Sequence, residues 1–205
     1  MRRLLVDERH VWLNQYESPA NPEAHERSTA RAVLRAFGRV DHLVVGVGTG
    51  GTLMGCVRAM RVLSPGTRVV AVDAVGSVTF GGEPARRLIP GLGASRPSTL
   101  VDRDAPDVVV HVPEHDAVRE CRWLARTAGL LAGGSTGTVL AAVRALAPSF
   151  APDDTVVALS PDMGERYVTT VYDDEWVSAH GLDAPQPGLG TQVTHRKEGL
   201  LDAAL

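Results

Sequence analysis

The run Gly46-Val47-Gly48-Thr49-Gly50-Gly51-Thr52 constrains this 205-residue chain more than any other stretch. The apolar residues before it, Leu43-Val44-Val45, read as a buried parallel strand. After it, Leu53, Met54, Val57, Met60 and Leu63 recur at helical spacing. A strand that turns through glycines into a helix leaves the first N–H groups of that helix without acceptors, at the positive end of its dipole. Glycines let the backbone approach an oxyanion closely, and Thr49 and Thr52 add hydroxyl donors. A tight turn with no ligand would use the same residue types, but so many glycines beside two threonines favour a phosphate.

Two kinds of phosphate ligand compete for the turn. Gly46, Gly48 and Gly51 have the G-x-G-x-x-G spacing of a dinucleotide-binding unit. The next apolar run, Val69-Val70-Ala71-Val72, ends in Asp73, about where such a unit places its ribose-binding acid. On that reading the chain is an NAD(P)-dependent oxidoreductase. Three spaced glycines are a weak pattern, and the rest of the chain points elsewhere.

Further strand-like runs are Val11–Leu13, Val108–Val112 and Val156–Leu159, and helical patterns occupy Ala24–Phe37, Leu53–Leu63, Asp116–Ala128 and Thr138–Leu146. Strands alternating with helices, written as continuous β-branched runs, imply a parallel sheet covered on both faces. The fold class expected is α/β, three-layer αβα with a mostly parallel sheet. Gly38 and Gly129 fit helix C-caps, and Pro65-Gly66 closes the helix before it. Residues 76–103 are too long and too rich in glycine and proline for a plain connection, which marks a functional loop. Residues 1–180 form one α/β domain on this reading. Residues 181–205 are a Gly/Pro-rich tail ending in a short helical segment at Glu198–Leu205.

A formal charge of -3 gives no electrostatic case for nucleic acid or an anionic membrane as partner. No apolar run approaches a membrane span, and Met1-Arg2-Arg3 leads into an acidic stretch, not a signal-peptide core. Cys56 and Cys121 lack metal-ligand spacing and read as buried small hydrophobes of a reduced, cytoplasmic protein, so no metal is expected. The sole lysine is Lys197, in the final tail, so a mechanism that needs a lysine must find it there or outside these residues.

The glycine turn has neighbours that share its logic. Upstream lie Gln15-Tyr16-Glu17-Ser18-Pro19-Ala20-Asn21-Pro22, then His25 and Ser28-Thr29. Downstream come Ile89-Pro90-Gly91-Leu92-Gly93-Ala94-Ser95, Gly133-Gly134-Ser135-Thr136-Gly137 and Ser160-Pro161-Asp162-Met163-Gly164-Glu165-Arg166-Tyr167. In that order, from about Trp12 to Trp176, these segments resemble the β-family (fold-type II) of pyridoxal-phosphate enzymes typified by cysteine synthase and cystathionine β-synthase. Within it, Asp73–Ser77 and the stretch from Gly81-Gly82 to Ser95 are most similar to a siderophore and antibiotic-pathway branch. That branch makes N-(2-amino-2-carboxyethyl)-glutamate, a 2,3-diaminopropionate precursor, from O-phosphoserine and glutamate.

The resemblance implies pyridoxal 5'-phosphate as cofactor and β-replacement on O-phosphoserine or a similar activated serine, and it assigns roles. Gly48, Thr49, Gly50, Gly51 and Thr52 match the phosphate cradle. Gly91, Gly93, Ala94 and Ser95 match a loop beside the bound amino acid. Gly133–Gly137 match a second strand-to-helix turn, read either as a substrate contact or as a helix start capped by Ser135 or Thr136. Asp162 falls where cysteine synthases carry the serine that bonds the pyridine nitrogen, and a carboxylate there would favour the protonated ring. The same residue fits an N-cap for a helix near Glu165, with Ser160 as the other candidate partner for the ring. The matched part begins after the region where the family carries its cofactor-bonding lysine. On this resemblance the chain is the large domain without that lysine and holds no catalytic residue of its own: either it works with a separate lysine-bearing domain, or it is a non-catalytic truncated homologue that binds a phosphate ligand or a partner protein. The complete enzyme is expected to be a homodimer.

Overall fold

The computed structural model describes residues 10–195, so the N-terminal Met1–Arg3, Lys197 and the segment 198–205 lie outside the described residues. Four parallel strands make the sheet: β1 (His42–Gly46), β2 (Arg68–Ala74), β3 (Val108–Val112) and β4 (Val156–Ala158). Their spatial order is β4-β1-β2-β3, and an antiparallel β5 (Gln192–His195) extends the β3 edge. The helices are α1 (Ala20–Arg27), α2 (Thr29–Phe37), α3 (Gly51–Leu63), α4 (Glu114–Ala128), α5 (Gly134–Leu146) and α6 (Asp174–Ala179).

The period-two alternation of a strand divides the valines between two cores. Leu43, Val45, Val69, Ala71, Val109 and Val157 face Leu53, Cys56, Val57 and Met60 of α3 and Ala30 and Val33 of α2. Val44, Val70, Val72, Val108, Val110 and Val112 face Val139, Ala142 and Leu146 of α5. Both faces of the sheet are thereby buried, which is why its strands read as unbroken apolar runs and not as alternating ones. A third cluster, with Ala117, Val118 and Cys121 of α4 against Tyr167, Val171, Val177 and Leu182, packs the C-terminal part onto the back of α4. The three-layer αβα expectation holds.

Chain direction places a crevice in this sheet. From β1 the chain moves outward through β2 to β3, then returns to lay β4 on the other side of β1. The loops leaving β1 and β4 therefore diverge at the C-terminal edge of the sheet, the place where open α/β sheets bind ligands.

Four local expectations need correction. Val11–Leu13 is irregular and exposed, not a strand. The single helix expected over Ala24–Phe37 is two helices meeting at Ser28, whose hydroxyl donates back to the Ala24 carbonyl at 2.5 Å and competes with the helical ladder there. Gly164–Tyr167 is one 3-10 turn and not a regular helix. The region from residue 181, read as an appended tail, returns to the sheet as β5 and is tied to α4 by the Thr191 hydroxyl on Asp116 at 2.7 Å.

Candidate active site

A cleft of about 630 Å³ opens at the divergence of the β1 and β4 loops. Gly46, Gly48, Thr49 and Thr52 form one wall, Leu159, Ser160 and Pro161 another, and Gly91, Leu92 and Gly93 a third. Gln15, Tyr16, His25 and Thr29 complete it from the segment before β1.

The glycine turn is shaped for an anion. Gly50 takes φ +90° and serves as the N-cap of α3, with no side chain capping the helix. The first intrahelical bond from a backbone amide runs from Met54 N to Gly50 O at 2.9 Å, so the N–H groups of Gly51, Thr52 and Leu53 have no acceptor within the helix. Two glycines are required sterically: a Cβ on Gly50 would run into Val101, and one on Gly51 into the Asn21 side chain. Around this backbone Thr49 accepts from Asn21 Nδ2 at 3.1 Å, and Thr52 shares a hydrogen bond with His25 Nε2 at 3.1 Å. The His25 ring is bonded at its other end to Thr29 Oγ1 at 2.9 Å, and burial lowers its pKa below the usual histidine value.

The Gly91–Ser95 loop is pinned to this turn. Gly93 N–H donates to Val47 O at 2.8 Å, and Ala94 N–H donates to the buried Ser77 hydroxyl at 3.0 Å. Glu114 at the start of α4 holds the loop's approach by accepting from Leu88 N at 2.7 Å and Ile89 N at 2.6 Å. Gly91 and Gly93 reach the cleft wall, whereas Ala94 is buried behind it and Ser95 is exposed, accepting from Arg87 at 3.0 Å. Of the expected cradle, Gly48, Thr49 and Thr52 line the cleft, and Gly50 and Gly51 form the bend that aims the helix at it.

Asp162 is held one layer back from the cleft wall. Its Oδ2 accepts from the Tyr167 hydroxyl at 2.7 Å, and Oδ1 is buried with no hydrogen-bond partner among the described residues. Ser160, two residues earlier, is the side chain that lines the cleft, and it shares a 2.8 Å hydrogen bond with Thr136. Neither Ser135 nor Thr136 caps α5, whose N-cap is Gly133. Asp73 is fully buried at the end of β2, where Oδ1 accepts from Ala74 N–H at 2.9 Å and burial pushes its pKa up to about 6. An acid in that position cannot grip an open ribose.

Asn21 and His25 were part of the upstream segment but carried no assigned role from sequence. The available signal was their four-residue spacing, which puts both on one face of α1.

The family model for pyridoxal-phosphate dependent enzymes matches residues 1–162. This chain belongs to that family. The family's cofactor is pyridoxal 5'-phosphate, and the donors at the glycine turn fit its phosphate. An N-(2-amino-2-carboxyethyl)-L-glutamate synthase of Ralstonia nicotianae is 47% identical over 180 residues, covering 87% of this chain and 53% of the relative. A second synthase of that name, from Cupriavidus metallidurans, is 40% identical over 95% of this chain and 58% of its own length. The chain thus spans a little over half the length of these relatives. Among solved structures, an O-ureido-L-serine synthase superposes with TM-score 0.76 at 34% identity, over 84% of this chain and 56% of that one. An O-acetylserine-dependent cystathionine β-synthase from Helicobacter pylori superposes with TM-score 0.71 at 28% identity, over 77% and 52%. Both similarities agree with the αβα fold. No helix among the described residues is long and apolar enough to cross a membrane.

Proposed function

We propose that this chain is the phosphate-anchoring part of a β-replacement enzyme that converts an activated serine, O-phosphoserine in the first instance, into a β-substituted amino acid of the 2,3-diaminopropionate-precursor type. The observation that carries the reading is the α3 N-terminus: uncapped amides, two hydroxyls and a glycine backbone face a cleft at the switch point of the sheet. Residues 48–52 would hold the cofactor's phosphate, with the Gly91–Gly93 backbone and Ser160 along the same cleft. When bound, pyridoxal phosphate supplies an electron sink for bonds broken at the amino acid's α-carbon. The chain's own residues bind and orient. Gly93, tied to Val47, holds the loop next to the cradle, and Ser160 is restrained by Thr136.

The two synthases of shared name support the amine of glutamate as the incoming nucleophile, since the product they are named for joins a serine-derived carbon skeleton to glutamate. A lysine-bearing segment belongs to the same proposal, because Lys197 is the sole lysine of the 205 residues; a homodimeric assembly of the complete enzyme is part of it by family resemblance alone.

Parallel titration with pyridoxal phosphate and NADH tests the reading. Saturable binding of pyridoxal phosphate, seen as a shift in its absorbance, with none of NADH is the expected result. Saturable NADH binding alone would overturn it.

A further inference from the structure

In α1, Asn21 and His25 stand four residues apart, and so do Gly51 and Gly55 in α3. The two helices meet along these pairs. A Cβ on Gly51 would occupy the place of the Asn21 amide, and a Cβ on Gly55 would run into the Pro22 carbonyl and His25 Cβ. Close approach of α1 therefore depends on the two glycines, and it delivers one polar side chain to each hydroxyl of the turn. Resting on the phosphate reading above, we propose that Asn21 and His25 are positioning residues that donate to the oxygens of Thr49 and Thr52, leaving both hydroxyl protons to face the cofactor's phosphate.

For Asn21 the direction of the bond follows from its second partner. The same Nδ2 lies 2.8 Å from the Gln15 carbonyl, which can only accept, so the amide nitrogen and not its oxygen faces Thr49 Oγ1. Thr49 is then an acceptor in that bond and keeps its own proton. For His25 the partners at both ends are hydroxyls, Thr29 at Nδ1 and Thr52 at Nε2, and a neutral ring donates at one end only. If Nδ1 carried the proton, Thr52 would spend its hydrogen on His25 and turn lone pairs toward a dianion. With the proton on Nε2, Thr29 donates to Nδ1, His25 donates to Thr52, and Thr52 donates outward. Only this order makes the Thr52 hydroxyl a phosphate donor.

Two measurements on the intact chain test this. In nitrogen-15 spectra of the ligand-free protein near neutral pH, the His25 ring, assigned by its loss in His25→Gln, should show the Nε2–H tautomer. A predominant Nδ1–H tautomer overturns the proposal, whatever the variants do. In the second, pyridoxal phosphate and pyridoxal are titrated against wild type, His25→Leu, Asn21→Asp, Thr52→Val and the His25→Leu/Thr52→Val double variant. His25→Leu and Asn21→Asp should each weaken pyridoxal phosphate about tenfold or more while leaving pyridoxal within about twofold. His25→Gln, which keeps an N–H donor, should recover most of the loss. The double variant should bind no more weakly than Thr52→Val alone. If Thr52→Val weakens pyridoxal phosphate and His25→Leu does not, the positioning role fails while the phosphate reading stands. If wild type does not distinguish pyridoxal phosphate from pyridoxal, both fail.

Discussion

Two glycine-rich turns lead this chain into a helix, Gly46–Thr52 into α3 and Gly133–Gly137 into α5, and they put their hydroxyls to opposite uses. At the first, Gly50 and Gly51 admit Val101 and Asn21 from behind, and the hydroxyls of Thr49 and Thr52 line a cleft. At the second the glycines likewise admit close neighbours, since Cβ atoms on Gly133, Gly134 and Gly137 would meet Asp162, Ile89 and the α4 backbone, but the hydroxyls are enclosed with them. Ser135 and Thr136 are buried there, and Thr136 is bonded sideways to Ser160. A glycine–hydroxyl pattern thus marks a helix start that something approaches closely. Whether the approaching group is a ligand or another part of the protein depends on what packs behind the turn. Behind the first lies α1, which touches the hydroxyl oxygens and leaves their front open. At the second, α4 and the 160–167 segment close in from the sides.

The largest difference should come from filling the closed turn. Gly137→Val pushes a side chain into the Ala117 carbonyl and Cys121 Sγ, where α4 and α5 are in contact. Overpacking of this kind costs about 3 kcal/mol. For a chain of this length that lowers Tm by roughly 6–12 °C. Affinity for pyridoxal phosphate, measured well below the transition, should stay within about twofold. A Tm unchanged by this substitution would show that the second turn is looser than its contacts imply.

Thr52→Val makes the complementary change at the open turn. One hydrogen bond to a charged group is worth about 1.5–3 kcal/mol, so affinity for pyridoxal phosphate should fall roughly ten- to hundredfold. Thermal stability should hardly move, because Thr52 and His25 both line the cleft and water can take the place of the hydroxyl at the His25 ring. Loss of stability without loss of affinity would make the first turn structural, like the second.

The fold was legible because continuous β-branched runs alternating with helical patterns imply a parallel sheet covered on both faces, and β1, β2, β3, α3 and α4 lie within about two residues of the positions read from pattern. The turn at residues 48–52 was legible for the same local reason. What stayed hidden was set by distant partners. Gln192–His195 is a strand because the β3 edge is free to pair with it, and the glycines and prolines around it conceal that. The break at Ser28 rests on one side-chain bond, which apolar periodicity does not register. Residue type cannot show that Asp162 turns to Tyr167 while Ser160 faces the cleft, nor that Asn21 and His25 share a task, because both follow from packing between segments far apart in sequence.

Asp73 sharpens the comparison by showing how an acid near the sheet's ligand edge can still be walled off from ligand. Its carboxyl titrates near 6 in the folded chain, raised by burial against the pull of the Ser77 hydroxyl, the Ala74 amide and Arg87. Since the folded value lies above the unfolded one, the native state holds more protons between about pH 4 and 6, and this group's contribution to stability falls as pH rises through that window. Asp73→Asn should flatten the fall, leaving the variant relatively more stable than wild type above pH 6 by about 3 kcal/mol. Urea midpoints at pH 4, 5, 6 and 7 read the slope directly. An unchanged slope would mean that Asp73 ionises as freely as an exposed carboxylate. A loss of cofactor affinity in this variant would reopen the dinucleotide reading.

The smallest expected effect is also the closest test of the contrast, because Thr136→Val repeats the chemical change of Thr52→Val at the other turn. The Thr136 hydroxyl is buried and spends its hydrogen bond on Ser160 at 2.8 Å. Valine has nearly the same shape and removes that bond, while Ser160, lining the cleft, can turn to water. A neutral hydrogen bond exchanged in this way is worth about 1 kcal/mol. Tm should therefore fall by roughly 2–4 °C. Affinity for pyridoxal phosphate should remain within about twofold, since this hydroxyl points at a neighbouring side chain and not at the anion site. The same methyl-for-hydroxyl exchange then reads out as stability at one turn and as affinity at the other. A tenfold loss of affinity in Thr136→Val with Tm unmoved would break the comparison, because it would make the second turn a ligand contact whose hydroxyl reaches the cofactor through Ser160.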